Sequence, residues 1–175
     1  MNNIIIKESK QQALDLDILK SHLRIDYDHE DNYLKEIISM ATDILEKNIE
    51  KPILVKTFKY VQYNSEFIST KKIFLPLNNV KEILSVRSLG QQCESLKYTI
   101  ENYNGRTVII TNGSRYPIEI VYRAGITEKF NEIPKDLQFA ILQISKNIYE
   151  CSEEDVLESK YIKHIINSNR SLNID

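Results

Sequence analysis

Residues 14–54 read LDLDILKSHLRIDYDHEDNYLKEIISMATDILEKNIEKPIL, and two helices are legible in them. In the first, Ile18, Leu19 and Leu23 recur at helical spacing, and Asp15 or Asp17 can cap the start. In the second, Asp28 is a natural N-cap, and Glu30 and Asp31 place negative charge where the helix dipole favours it. Leu34, Ile37, Ile38, Ala41, Ile44 and Leu45 then fall on one apolar stripe, which stops before Pro52. A short acidic loop, Asp26 to Asp31, joins the two helices.

Beyond Ile53 the texture changes. The runs ILVKTFKYVQY, KIFLPL, VKEILSVRSL, LKYTIEN, RTVIITN and PIEIVYRAG are β-branched and aromatic, as strands require. Breaks fall at Asn64-Ser65, Asn78-Asn79, Leu89-Gly90, Asn104-Gly105 and Asn112-Gly113, and the Asn-Gly pairs suit turns with positive φ. No helical pattern separates the strands, so antiparallel hairpins are predicted rather than a parallel nucleotide-binding sheet.

The helical period returns after Pro134, which sits at a plausible first helical position. Leu137, Ala140, Ile141, Ile144 and Ile148 share a face, giving a helix over roughly 134–150. Leu157, Tyr161, Ile162, Ile165 and Ile166 mark a fourth, terminal amphipathic helix, and the last half-dozen residues are expected to fray. The predicted class is α+β: a helical bundle of three to four helices with an antiparallel β-rich insertion of five to six short strands. One domain is expected over 1–175, its helical part at 14–50 and 133–168 and its insertion at 53–125.

The 175 residues are 42% hydrophobic and 27% charged, with a net charge of -2, so they can build a packed core but present no global field for a nucleic-acid backbone. Cys93 and Cys151 lie far apart without a CxxC spacing, which points to a reducing compartment and free thiols. No basic leader precedes the three-residue apolar run in MNNIIIKESKQQ, and no stretch approaches the roughly 18 apolar residues of a membrane span. A cytoplasmic protein is expected.

Chemistry-bearing motifs are absent. The cluster Asp26, Asp28, His29, Glu30 and Asp31 lacks the glycine and closing glutamate of a calcium loop, and capping explains its charge. His22, His29 and His164 stand in no ligand spacing, and Gly90, Gly105, Gly113 and Gly125 form no phosphate loop or nucleophile elbow. No catalytic residue, metal or cofactor is expected. A DNA-reading helix would be basic, whereas the second helix sets Asp31, Glu36, Asp43 and Glu46 against Lys35 and Lys47. Lys56, Lys59, Lys71 and Lys72 read as solvated strand-edge lysines.

Tyrosine is enriched at interfaces, and Tyr60, Tyr63, Tyr98, Tyr103, Tyr116, Tyr122, Tyr149 and Tyr161 lie in or beside the sheet and terminal helices. Ordinary packing accounts for most of them. The C-terminal stripe can pack on its own domain or dock on a neighbour. Candidate interface residues are therefore Leu157, Tyr161, Ile162, Ile165, Ile166, Tyr63 and Tyr149.

The order of these features over residues 14–150 resembles the phage head-tail connector (adaptor) family, in the longer form with a β-rich insertion found in prophages and gene-transfer agents. The residues that carry it are Leu23-Arg24-Ile25 before the acidic loop and long helix, Leu75-Pro76-Leu77, Tyr122 to Gly125, and Ile133-Pro134. Cys151 after Tyr149-Glu150 departs from the family's usual basic or acidic residue, and the tail beyond it has no counterpart. The resemblance implies a non-enzymatic subunit of a ring of about twelve copies beneath the portal, joining capsid to tail, with DNA passing through the lumen unread. It implies as partners the chain itself, the portal protein and head-closure or tail proteins, with no membrane and no sequence-specific nucleic acid. It places the chain in host cytoplasm during assembly and then in the virion neck, or in the bacterial cytoplasm when prophage-encoded. Another neck or tail-completion protein, an enzyme and a small DNA-binding regulator are the competing readings.

Overall fold

The computed structural model describes residues 3–7, 11–63, 70–89, 94–103, 106–112, 117–153 and 155–170. The chain divides into a helical unit, Ser9–Leu54 with Ile126–Asn173, and a sheet unit built from Met1–Glu8 and Val55–Gly125.

The helical unit holds α1 (Leu16–Leu23), α2 (Asp31–Ile49), α3 (Lys135–Tyr149) and α4 (Lys160–Asn169). Asp15 caps α1, its carboxylate accepting the Asp17 N–H at 2.9 Å. The helix ends on Arg24 in the left-handed region at φ 60°, a place glycine usually takes. The next residue, Ile25, donates its N–H to the Lys20 carbonyl at 2.9 Å and is buried. Leu23-Arg24-Ile25 is thus a helix stop whose last residue seals the core. Asp28 does not cap α2 with its side chain; Glu30 takes the cap position without a side-chain bond, and α2 starts at Asp31. α3 begins one residue after Pro134.

Leu34, Ile38, Ala41 and Leu45 of α2 join Leu137, Ala140, Ile141 and Ile144 of α3 in one core, to which α4 adds Ile162, Ile165 and Ile166. The end of α4 is tied down by polar contacts. Lys51 Nζ donates to the Asn169 carbonyl at 2.8 Å, Asn169 Nδ2 donates to Asp136 Oδ2 at 2.8 Å, and Arg170 pairs with Glu50. Where the chain leaves and re-enters this unit, Ile126 N–H donates to the Pro52 carbonyl at 3.0 Å, Thr127 N–H donates to the Ile53 carbonyl at 3.1 Å, and Leu54 bridges Thr127.

The sheet unit contains β1 (Asn3–Lys7), β2 (Lys56–Gln62), β3 (Thr70–Phe74), β4 (Val80–Ser88), β5 (Glu94–Ser95), β6 (Tyr98–Tyr103), β7 (Arg106–Asn112) and β8 (Ile118–Ala124). Five of them form a sheet in the order β1-β2-β8-β4-β5, and three form another in the order β3-β7-β6. All pairings are antiparallel. Central β8 alternates, with Ile118, Ile120, Tyr122 and Ala124 buried on one face. They meet Phe58, Tyr60, Ile73, Leu75, Val86 and Ile109 in a second core, separate from the helical one.

Two departures from the sequence reading have plain causes. The N-terminal run, too short to read as a strand, pairs with β2 as β1 and lies outside the inserted stretch. Lys56 and Lys59 are not edge lysines, because β2 is flanked by β1 and β8; Lys56 is buried and Lys59 pairs with Glu119 at 2.7 Å. The predicted breaks at Asn64-Ser65, Gly90, Asn104-Gly105 and Gly113 lie outside the described residues, as do Cys93, Tyr116 and the last five positions. At Asn79 the φ is +60°, as a turn there requires.

Ile141→Ala, which opens a hole between α2 and α3, is expected to lower unfolding free energy by about 2–5 kcal/mol in urea melts. Arg24→Gly relieves the left-handed stop and is expected to raise it by about 0.5–1 kcal/mol.

Candidate functional site

The acidic loop is built around a buried lysine. Lys20, on the core side of α1, donates to Asp28 Oδ1 at 2.6 Å and Asp31 Oδ1 at 2.9 Å. An ammonium drawn into a protein surface needs such partners. They push the Lys20 pKa up, chiefly through the two hydrogen bonds, and the same bond from Lys20 holds Asp28 below the usual carboxylate range. Next to this clamp, the Tyr149 hydroxyl donates to Glu30 Oε2 at 3.0 Å. That bond, followed by one with Tyr27, raises the Tyr149 pKa to about 12. Tyr27 stacks on His29 at 4.1 Å between centroids, and Tyr33 lies 6.3 Å from Tyr149. The cluster of carboxylates and aromatics therefore links α1, the loop, α2 and the end of α3. Its polar groups are satisfied by one another, which describes a structural joint.

Among the described residues no group of three or more His, Cys, Asp or Glu side chains is placed to hold a metal ion. His22 and His164 are exposed, and among the described residues no helix is long and apolar enough to cross a membrane.

Of the seven candidate interface residues, Ile162, Ile165 and Ile166 are buried in the helical core, so the C-terminal stripe packs on its own unit. Leu157 is not on α4; it sits in a 3-10 turn, Val156–Glu158, half-buried against the same core. Asp155 caps the start of that turn by accepting the Leu157 N–H at 3.0 Å, and Ser159, non-helical at ψ 132°, separates the turn from α4. Tyr149 is half-buried in the joint described above. Tyr161, 69% exposed, and Tyr63, 76% exposed on the sheet unit, are the two whose side chains face solvent.

The sequence reading missed Phe139, 40% exposed, whose ring meets Tyr161 edge to face at 5.7 Å. The two line an open groove of about 470 Å³ between α3 and α4, floored by Ile162, Ile165 and Val156. Phe139 lies off the buried stripe of α3, and a large aromatic in that position was the available signal. The sheet unit has a similar feature. Phe74, 44% exposed, and Tyr103, 62% exposed, meet edge to face at 6.4 Å on the three-stranded sheet. The described surface thus offers apolar docking features and satisfied polar clusters, an arrangement suited to assembly.

Residues 13–85 match the family described as phage gp6-like head-tail connector protein, a structural family. The match bears out the resemblance read from the sequence. No curated protein matches the chain. Among solved structures, a chain of the "Neck of empty GTA particle computed with C6 symmetry" superimposes at TM-score 0.78 and 17% identity, covering 100% of this chain and 98% of its own. A chain of the "Virion of native gene transfer agent (GTA) particle" gives 0.77 and 17%, and one of the "Neck of native GTA particle computed with C12 symmetry" gives 0.76 and 16%, each with the same coverage. At these identities the likeness is one of fold, and it extends the α+β match over the whole chain.

Asp28→Asn should lower the melting temperature at pH 7. A depressed carboxylate stabilises the fold above its unfolded pKa of about 3.9, and that contribution disappears as pH falls through the lower folded value. The gap between variant and wild type should therefore close in melts taken well below pH 4.

Proposed function

We propose that this chain is a structural head-tail connector subunit of a tailed-phage-like particle, and that it works by forming a ring beneath the portal which joins capsid to tail. The observation that carries this reading is the connector-family match over residues 13–85, together with a fold that follows neck-particle chains from end to end. On this reading the two units act as one connector domain over 1–175, with self, portal and head-closure or tail proteins as partners. The chain assembles in host cytoplasm and ends in the virion neck.

The physical chemistry supports the assignment. A lumen that must let DNA pass should not grip a polyanion, and the net charge of -2 provides no attraction of that kind. The described polar groups of the acidic loop bond to one another and hold the fold together, which supports a structural role. The symmetries named for the neck structures, C6 and C12, belong to those particles; for this chain, rotation about one axis is the arrangement in which two different faces of each copy satisfy one another.

Light scattering across a concentration series, with electron microscopy of any large species, tests the reading. Rings of about twelve copies are expected. A monomer at every concentration would remove self-assembly. Tight, steeply salt-dependent binding to duplex DNA would instead favour a regulator.

A further inference from the structure

We propose that the α3–α4 groove receives the three-stranded sheet of a second copy, the Phe139–Tyr161 pair of one subunit meeting the Phe74–Tyr103 pair of the next. The inference rests on the ring reading and deepens it by naming the two faces. A ring joined by rotation needs two unlike surfaces on each subunit, whereas a face that pairs with itself stops at a dimer. The helical unit supplies a concave surface, a groove of about 470 Å³ whose floor is aliphatic and whose rim carries Tyr161. The sheet unit supplies an exposed face of its three-stranded sheet. On β3, Lys72 and Phe74 share a face; Phe74 stands opposite Val108, and Tyr103 stands opposite Arg106. Val108 is buried there, so the two rings stand on an aliphatic base. Rigid aromatics of this kind contribute large contact area at low entropic cost and are the side chains that dominate interface energetics.

Charge selects the occupant. The groove's own lining carries one charge of each sign, Lys135 and Asp136, and an adjoining pocket that shares Gln143, Val156 and Ser159 with it is lined by Glu150 and Asp155, with Glu153 and Glu158 in the same stretch of chain. Lys146 and Lys163 answer Glu150 and Glu158, while Glu153 is exposed. The sheet strand β3, TKKIF, has two lysines and no acid, and Lys72 is exposed beside Phe74. Glu101 on the same face is outnumbered by Lys72 and Arg106. Glu153 and Asp155 thus leave the helical side a small acidic excess to meet the basic flank of the sheet, and rim charges of this kind set register and discourage wrong partners.

The test is sedimentation of the full chain across concentration for Phe74→Ser, Phe139→Ser, Lys72→Glu, Glu153→Lys and the Lys72→Glu/Glu153→Lys double variant, with thermal melts to establish that each folds. Each single change should raise the concentration for half-assembly, by about tenfold for the aromatics, and the double charge variant should recover most of its loss. Aromatic variants that assemble like the wild type, or a double variant no better than its worse single, overturn the pairing and leave the ring reading standing. A wild-type chain that stays monomeric throughout overturns both.

Discussion

The packing of α2 on α3 is the contact on which the helical unit depends. The two stripes are complementary in chemistry and length but are separated by the whole sheet unit, so neither helix can bury its apolar face until the chain has made that excursion and returned. The hydrogen bonds of Ile126 to Pro52 and of Thr127 to Ile53 fix the departure and return points side by side. The entropic cost of closing the excursion rises only logarithmically with its length, which is why a large insertion is tolerable at this place. The insertion in turn has its own core around β8, so it does not draw on the helical one for burial.

The joint at the acidic loop solves a second problem. α1 must give way to α2 within seven residues, and Arg24 ends the first helix in a conformation that costs a non-glycine residue energy. Ile25 and the Lys20 clamp offset that cost. Removing one partner of a buried, hydrogen-bonded charge leaves the other uncompensated, so Lys20, Asp28 and Asp31 form one unit in energetic terms.

Local signals made α1, α2 and α3 legible, because each helix shows its stripe within its own sequence. Antiparallel β structure between them was legible for the same reason, although only β4 with β5 and β6 with β7 form the expected hairpins, and β2, β3 and β4 pair with strands far along the chain. What depended on distant pairing was not. The strand β1 has too few residues to show a period, and it exists because β2 offers it an edge. The lysines of β2 look like edge residues until β1 is placed beside them. Lys20 reads as a solvated helix lysine, and only the fold of the loop brings Asp28 and Asp31 to it. At the site, the apolar stripe of α4 was visible, but its spacing could not distinguish its own core from a neighbour's surface; Tyr161, the member at the wrong angle for the core, remains outside. Phe139 was visible by the same test and went unread because the stripe of α3 accounted for the helix without it.

That division of side chains follows from the limits of a small helical core. α4 is ten residues long and contributes three isoleucines to a core already filled by α2 and α3, so it can cover only part of their shared surface. The polar ties at Asn169 and Arg170 hold its far end, whereas its first turn follows directly on the 3-10 turn and leaves Phe139 and Tyr161 on the rim of an open groove. The non-helical Ser159 sets where α4 begins and so leaves both rings at the groove, and the acidic segment before it supplies charge nearby.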